Sequence, residues 1–339
     1  MKRYGSLYPQ IYDFENLYRA YCQARKNKRY KDSVIRFGMN LEESLIEIQN
    51  ELIWHTYEPG EFTEFMIHEP KERAIRALPF RDRVVQHALV NVIEPIFERS
   101  MIYDSYGCRV GKGMHRGSDR LMQWLQEAHH NWPETYVLKA DISKFFNSID
   151  VRVFWDIIKR RIKCNDTLWL IRKILLHGTD ESLIGLPIGN LTSQLFANVY
   201  LDQLDHFVKE RLHIHYYVRY MDDFVILLPD KQKLHRIKDE IEDFLNCRLH
   251  LRFNRKTSIF PARNGVDFLG YRTWATHRLV RKSSIKRMKR KLRHYGKLLS
   301  EGRVDANDIT RSVRSWIAHV EHANTYHLRR KVLVVKRHS

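Results

Sequence analysis

Three aspartates stand where a divalent metal ion could be held. Asp141 ends the β-rich run Thr135–Ala140, whereas Asp222 and Asp223 lie between two other β-rich runs. The second arrangement predicts a hairpin with acids at its tip. In phosphoryl transfer, two divalent ions bridged by carboxylates neutralise the attacking and leaving oxygens, and Mg²⁺ takes few protein ligands, all of them oxygens. The pattern therefore indicates metal-dependent phosphoryl transfer, although an Asp-Asp pair in a turn is common by itself.

Strands and helices predicted from apolar spacing would position these acids. The predicted strands are Glu61–His68 and Arg73–Leu78, joined through Pro70, and His215–Arg219 and Phe224–Leu228 on either side of the acidic tip. The predicted helices are Leu41–Leu52, Arg81–Phe97 and Thr192–Val208, followed by two C-terminal helices, the first with Ser283 as its cap. In this arrangement Asp141 ends one strand and the acidic pair lies at the tip of a hairpin.

The charge of the chain indicates a polyanionic partner. Its 59 Lys and Arg outnumber 40 Asp and Glu, which gives a net charge of +19. Solubility needs less than this, and nucleic acid is the commonest partner of a strongly basic protein, although ribosome-associated and anionic-lipid-binding proteins share the property. Nine Lys or Arg and no acid fall between Arg281 and Lys297. That run predicts a surface that tracks phosphates and includes Lys286, Arg290 and Arg293.

Other features of the sequence exclude several classes of protein. The four cysteines are scattered singly, which disfavours a zinc finger or a disulfide framework and predicts reduced, mostly buried thiols. No apolar run approaches the ~20 residues of a membrane span, and no signal-peptide core follows Met1. We therefore expect the protein in the cytoplasm, without a membrane partner.

The order of the motifs around the acids resembles that of reverse transcriptases. Tyr220-Met-Asp-Asp223 looks like their polymerase hairpin, and Asp141–Asp150 is similar to their first palm motif. Five further segments resemble, in the expected order, two fingers motifs, the nucleotide-binding motif, a lysine-bearing loop and the primer grip of bacterial, intron-type members: Arg73–Leu89, Ser105–His115, Leu186–Gln194, Asn254–Thr257 and Phe268–Tyr271. The resemblance implies an RNA-directed DNA polymerase.

The same resemblance implies a fold. A reverse transcriptase is a right-hand polymerase of the α+β class. Fingers are expected at residues 1–134 with 152–183, and a palm with an antiparallel sheet at 135–151 and 184–282. A basic helical thumb is expected at 283–339.

Roles for single residues also follow from the resemblance. Asp141, Asp222 and Asp223 would hold two Mg²⁺ ions together with the backbone of Ile142, with Mn²⁺ as an alternative ion, and Lys256 would donate a proton to the leaving pyrophosphate. The residues expected to contact the incoming deoxynucleotide are Lys71, Arg73, Phe146 (as a steric gate against the 2′-hydroxyl), Ile188, Gly189 and Gln194. Those expected to contact template RNA, primer or cDNA are Arg109, Phe268, Leu269, Gly270, Tyr271, Lys286, Arg290 and Arg293.

The nucleotide-binding motif departs from the usual pattern of the family. Most members have Gln before the Gly and Pro after the Ser, whereas this chain has Ile188 and Gln194. Ile-Gly-x-x-x-Ser-Gln resembles the reverse transcriptases of diversity-generating retroelements, as do Arg281–Arg287 and Trp316–His319. That resemblance implies adenine-mutagenic cDNA synthesis from a template-repeat RNA in a bacterial host, with a small basic accessory protein that forms a ring. Since Ile188 cannot hydrogen-bond a nucleotide as Gln could, we hypothesise that it lowers fidelity at adenine.

Other interpretations stay open. A retron enzyme, a phage-defence enzyme or a free-standing intron relative would share the motifs around Asp141 and Asp222. A catalytically idle RNA-binding protein on a polymerase scaffold is a further alternative, although the presence of all three aspartates argues against it. A basic structural protein of a ribonucleoprotein would share the charge. Ile188 could be a packed aliphatic side chain, Phe146 a core aromatic and Lys256 an ordinary surface residue.

Overall fold

The computed structural model describes residues 2–67, 72–179 and 181–333. The helices are α1 Tyr8–Tyr12, α2 Phe14–Ala24, α3 Asp32–Met39, α4 Leu41–Ile53, α5 Phe80–Glu98, α6 Met114–Asn131, α7 Phe145–Ser148, α8 Val151–Lys159, α9 Asn165–His177, α10 Leu191–His206, α11 Lys231–Leu249, α12 Lys282–Ser300, α13 Ala306–Val320 and α14 Tyr326–Leu333. The strands are β1 Thr63–Ile67, β2 Arg73–Ala77, β3 Tyr136–Asp141, β4 Tyr217–Tyr220, β5 Asp223–Leu228, β6 Ser258–Pro261, β7 Val266–Phe268, β8 Tyr271–Thr273 and β9 Arg278–Val280. A π-helical turn, Phe207–Arg211, continues α10, and a 3₁₀ turn, Ala262–Asn264, follows β6.

The chain folds into two compact units. The first consists of Met1–Tyr103, Ile142–His213 and Glu240–Arg255. Helix α5 is central to it and packs against α2 and α10. Its apolar residues recur at helical spacing, and the side chains of Val84, Ala88 and Leu89 are fully buried. The antiparallel hairpin β1–β2 also belongs to this unit.

The second unit consists of Asp104–Asp141, Ile214–Asp239 and Lys256–Ser339. Its four-stranded sheet has the order β4-β5-β3-β6, and every neighbouring pair is antiparallel. Helix α6 covers this sheet, with Trp124 and Leu125 in one cluster with Val218 and Val225. A separate three-stranded sheet, β7-β8-β9, packs its apolar side chains against Trp316 and Val320 of α13. The sheet β4-β5-β3-β6 carries the acids singled out by the sequence.

Most predicted elements are present with shifted ends, and the α+β class is confirmed. Two details were wrong. Ser283 does not cap α12, because the helix begins at Lys282 and the position before it is occupied by Arg281. The amide of Arg281 donates to the carbonyl of Gly270 at 3.1 Å, which ties the start of the helix to the second unit's sheet. The cysteines are not mostly buried, since Cys108 and Cys247 are exposed and Cys22 and Cys164 half-buried. The fingers, palm and thumb boundaries stay predictions.

Candidate active site

The acidic tip is a two-residue turn between β4 and β5. Tyr220 and Asp223 are the last paired residues of the hairpin, so Met221 and Asp222 form the turn itself. Met221 has a φ of 55°, in the left-handed region that favours glycine. The flanking residues Val218 and Phe224 are fully buried. The turn is therefore fixed by a buried hairpin and presents Asp222 at its end.

Asp141 reaches the same place along the neighbouring strand. It is the last residue of β3, and its register partner on β5 is Asp223. Directly opposed residues of antiparallel strands have Cβ atoms about 4.5–5.5 Å apart, so these two carboxylates share one face of the sheet edge. The amide of Asp141 also donates a 3.4 Å hydrogen bond to Oγ1 of Thr257. The fold thus brings Asp141, Asp222 and Asp223 together by backbone pairing.

The electrostatics of this corner oppose three ionised acids. Burial, together with the nearby charges of Asp141 and Asp222, raises the pKa of Asp223 to about 6, although Lys139 opposes the rise. Nζ of Lys139 donates to Oδ1 of Asp223 at 2.8 Å, and both side chains are largely buried. Lys139 lies two residues before Asp141, hence on the same face of β3. The carboxylates are crowded enough for a bound cation to be favourable there.

The donor set fits a hard divalent cation. Within the described parts of the chain, no group of three or more His, Cys, Asp or Glu side chains converges closely enough to hold a metal ion by itself. Mg²⁺ does not need such a cage, because it is commonly held by one or two carboxylates and completes its shell with water and substrate phosphates. Asp141 and Asp223, on adjacent strands, and Asp222, in the turn, would offer oxygen ligands only.

A buried arginine behind the turn was not anticipated from the sequence. The side chain of Arg219 is fully buried, and its Nη1 donates to the carbonyl of Met221 at 3.0 Å. Its backbone pairs with the segment that precedes α6, because its amide donates to Asp104 and its carbonyl accepts from Tyr106, both at 2.9 Å. Arg219 directly follows Tyr217 and Val218 in an apolar strand, and no local signal in the sequence distinguishes it from an arginine whose side chain is exposed.

The other residues of the second unit that were predicted to contact substrate or nucleic acid differ in exposure and in their contacts. Lys256 is exposed, one residue before Thr257, which contacts the amide of Asp141. Arg109 is half-buried and donates to the carbonyl of Ser105 at 2.8 Å. Lys286, Arg290 and Arg293 are exposed at helical spacing along α12 and therefore share one face of that helix.

The predicted primer grip divides into buried and accessible parts. Phe268 and Tyr271 are fully buried. The hydroxyl of Tyr271 donates to the carbonyl of His319 at 2.7 Å and lies 3.0 Å from the Nδ1 atom of the same residue. Leu269 and Gly270, with φ of 51° and 89°, form the turn between these residues and are partly exposed. Any contact of this segment with nucleic acid is accordingly made by the turn and not by the two aromatic rings.

The residues expected to contact the nucleotide belong to the first unit, except that Lys71 lies outside the described residues. Arg73 is exposed on β2, and Phe146 is half-buried beside the buried ring of Phe145 at 5.4 Å. The backbone of the buried Ile142 pairs with Phe253.

The nucleotide-binding motif of the first unit is seated on the hairpin β1–β2. The carbonyl of Ile188, which is half-buried, accepts from the amide of Arg76 at 3.1 Å. Gly189 has a φ of 120°, and a Cβ atom there would lie 2.8 Å from Cγ2 of Ile75, so only glycine fits. Gln194 is exposed near the start of α10.

Comparison with known proteins identifies the class. The chain belongs to the reverse transcriptase (RNA-dependent DNA polymerase) family, whose model matches residues 67–273. Protein YkfC of Escherichia coli (strain K12) is 27% identical over 281 residues, covering 70% of this chain and 71% of YkfC. The group II intron-encoded protein LtrA of Lactococcus lactis subsp. cremoris is 24% identical over 318 residues, covering 73% of this chain and 51% of LtrA.

Solved structures agree on the fold. Apo telomerase from Candida tropicalis, truncated from its C-terminal domain, aligns with 68% of this chain and 59% of its own at a TM-score of 0.51 and 13% identity. A second apo telomerase structure from the same organism aligns with 67% of this chain and 49% of its own, also at 0.51. At this identity the likeness shows the fold alone. The chain spans about half the length of LtrA and of the second telomerase chain.

Family membership confirms two predictions from the sequence. The fold is that of a reverse transcriptase, and the enzyme class is an RNA-directed DNA polymerase with relatives among group II intron-encoded proteins. Members of the family use nucleotide substrates to synthesise DNA on RNA templates, and they generally need divalent metal ions.

Across residues 2–67, 72–179 and 181–333, no helix combines the length and the apolar character that crossing a membrane requires.

Proposed function

We propose that this chain synthesises cDNA on an RNA template at the corner formed by Asp141, Asp222 and Asp223. The observation that carries the proposal is the register pair Asp141–Asp223 beside the turn that bears Asp222. Two Mg²⁺ ions held there, with the backbone of Ile142, would neutralise charge on the attacking and leaving oxygens. The proposal requires the three carboxylates to be ionised and to face the same substrate.

The proposal gives other predicted residues supporting roles. Lys256, exposed just before the strand that flanks Asp141, would protonate the leaving pyrophosphate. Lys71 and Arg73 would bind the triphosphate, since cationic donors suit phosphate. Phe146 would exclude a 2′-hydroxyl, and Gly189 would let the backbone approach the base pair.

Primer extension on a defined RNA template with Mg²⁺ tests the acids. Asp222→Asn keeps the size of the side chain but removes its charge, so incorporation should fall by about 10³-fold or more. Asp243→Asn, at an exposed position of α11, is the matched control and should retain wild-type activity. Full activity in the Asp222→Asn protein would refute the site assignment, and an inactive wild type would instead favour an idle RNA-binding scaffold.

We further propose that the enzyme belongs to a diversity-generating retroelement and copies a template-repeat RNA with errors at adenine. Ile188 and Gln194 support this assignment, because they replace the Gln and Pro usual in the family. Ile188 is half-buried and offers no hydrogen bond to a nucleotide from its side chain, so a mispaired base would lose little there. A small basic ring-forming accessory protein, and the cytoplasm of a bacterial host, belong to the same proposal.

The error spectrum on a defined RNA template tests the role of Ile188. Ile188→Gln should lower adenine misincorporation by about tenfold, because a correctly aligned nucleotide would gain a hydrogen bond that a mispair lacks. Ile184→Gln is the matched control, since Ile184 is an exposed isoleucine four residues away on the same loop. An unchanged spectrum in Ile188→Gln would remove the proposed fidelity role.

A free-standing intron relative is the second candidate function. The likeness to the group II intron-encoded protein LtrA favours it. Gene neighbourhood distinguishes the two: a pair of near-identical repeats that differ at adenines would support the retroelement, and their absence beside an intron would support the relative. A retron or phage-defence enzyme would be recognised by the same observation. Whichever of these functions is correct, we propose fingers at residues 1–134 with 152–183, a palm at 135–151 and 184–282, and a thumb at 283–339.

A further inference from the structure

The backbone of Met221 is held in an unfavourable conformation by two neighbours, Arg219 and Gly107. A left-handed conformation is unfavourable for a non-glycine residue, so it persists only where the surroundings impose it. Met221 has a φ of 55° and is 8% exposed. The residue that follows it is Asp222, so the conformation of Met221 sets the direction in which that carboxylate leaves the turn.

The first neighbour is Arg219. Its guanidinium is fully buried and donates to the carbonyl of Met221 at 3.0 Å, which ties down the peptide that links Met221 to Asp222. A buried guanidinium is costly to desolvate and tolerates little displacement of its partners. Arg219 is itself fixed by the backbone hydrogen bonds to Asp104 and Tyr106, both 2.9 Å long.

The second neighbour is Gly107, directly after Tyr106. A Cβ atom on Gly107 would lie 2.7 Å from both Cγ and the amide nitrogen of Met221, and 2.8 Å from its Sδ. Gly107 does not adopt a left-handed φ, so the backbone conformation does not require glycine there. The requirement comes from the close approach of the turn, which has no room for even one methyl group.

We infer that Arg219 and Gly107 are positioning residues that clamp Met221 from two sides and thereby fix the placement of Asp222 relative to Asp141 and Asp223. The inference rests on the proposed function of these acids. It predicts an effect on the chemical step, because a displacement of about 1 Å at a reacting group can lower the rate about 10²-fold. Binding of the primer–template should not change.

Steady-state primer extension of the full chain with Gly107→Ala tests the clamp. At saturating nucleotide and primer–template, kcat should fall by about 10- to 100-fold, the Mg²⁺ concentration for half-maximal rate should rise, and the Kd for primer–template should stay within about twofold. Gly38→Ala is the matched control, because its Cβ would meet only the far end of the Tyr21 side chain, at 2.9 Å. Wild-type kcat and Mg²⁺ dependence in Gly107→Ala would overturn the inference.

Three further variants keep the test decisive if Gly107→Ala is poorly folded. Arg219→Met removes the donor to the Met221 carbonyl, whereas Arg219→Lys keeps a cation that can donate, so Lys should recover part of the kcat that Met loses. Equal kcat in the two variants, measured well below their unfolding midpoints, would overturn the role of Arg219. In the Gly107→Ala background, Met221→Ala removes two of the three short contacts and should restore part of the activity.

Failure of the inference is distinguishable from failure of the proposed function. If the wild type does not polymerise, or Asp222→Asn is fully active, the proposed site is wrong. If the wild type polymerises, Asp222→Asn is inactive and Gly107→Ala matches the wild type, only the clamp is wrong. A lower unfolding temperature with unchanged kcat and Mg²⁺ dependence would mean that Gly107 serves stability alone, which also overturns the clamp.

Discussion

Asp141 and Asp223 are direct partners in the antiparallel pairing of β3 and β5, and they are the last pair before the strands part. Asp223 is also the residue that closes the hairpin with Tyr220. The backbone of Asp223 is therefore paired with both neighbouring strands, β3 and β4. The relative placement of the acids is set by the sheet, and only Asp222 depends on the conformation of a turn.

Lys139 should contribute most to the stability of the folded protein when no divalent ion is present. It donates to Asp223, and both side chains are about three-quarters buried. Lys139→Met leaves that carboxylate crowded by Asp141 without a partner, so the free energy of unfolding in EDTA should fall by about 1–2 kcal/mol. Added Mg²⁺ would supply the missing charge and should raise the melting temperature of the variant more than that of the wild type.

Thermal unfolding with and without Mg²⁺ measures this effect. Lys159→Met is the control, because Lys159 pairs with Asp156 at the surface, where an ion pair contributes about 0–1 kcal/mol. An equal Mg²⁺ response in Lys139→Met and the wild type would contradict the prediction.

The basic face of α12 should contribute to affinity through charge. Replacing Lys286, Arg290 and Arg293 with Gln should weaken binding to RNA–DNA duplex and reduce the slope of log Kd against log salt by about 2–3, since each phosphate contact contributes about 0.7–0.9. The control removes three exposed charges from α11, at Lys231, Lys233 and Arg236, beside Asp230. Fluorescence anisotropy across a salt series gives both slopes, and the same slope in both triple variants would contradict a specific role for α12.

The hairpin was predictable from sequence because its signals are local. Apolar runs on both sides of a short polar segment predict strands and a turn, and Asp222 follows from that reading. The pairing of Asp141 with Asp223 is not local, since the residues are far apart in the chain and a shift of one position would turn the side chains to opposite faces. Only the order of the motifs suggested that the acids meet.

Features that depend on tertiary packing could not be read from the sequence. Arg219 is an arginine in a strand, and its backbone pairs with Asp104 and Tyr106, which lie over a hundred residues earlier. The ring of Tyr271 is buried by the C-terminal end of α13, so a motif that suggested a contact surface supplies a core residue instead. Lys139 was also missed, although its spacing of two residues from Asp141 places both side chains on one face of β3; its ion pair with Asp223 depends on the pairing of β3 with β5.

Tyr271 should connect the turn Leu269–Gly270 to the C-terminal helices. Its hydroxyl donates to the carbonyl of His319 at 2.7 Å, and Tyr271→Phe leaves that carbonyl unsatisfied. The free energy of unfolding should fall by about 1 kcal/mol, and affinity for primer–template should fall with it if the turn Leu269–Gly270 loses its support. Urea unfolding and anisotropy measure the two effects. Tyr326→Phe, at a tyrosine that is 61% exposed, should change neither.

His206 should make stability depend on pH in a defined window. Hydrogen bonding to Asp202 raises the pKa of His206 to about 9, with a further contribution from Glu210 and in spite of partial burial. Its Nδ1 lies 2.7 Å from Glu210, and its Nε2 lies 3.4 Å from Asp202 and 3.1 Å from the carbonyl of Ser100. Two ring nitrogens that both face acceptors fit an imidazolium, which donates from each.

The direction of the effect follows from linkage. The folded pKa is above that of the unfolded chain, about 6.5, so the stabilisation is complete below pH 6.5 and is lost as the pH rises through about 9. Because Glu210 is solvent-exposed, water screens its attraction for His206, so we expect the charged His206 to stabilise the folded protein by about 1–2 kcal/mol. Urea unfolding of the wild type and of His206→Gln at pH 6.5 and pH 9.5 isolates this contribution: their difference in unfolding free energy should shrink at the higher pH. A difference that is the same at both pH values would show that His206 is neutral in the folded protein.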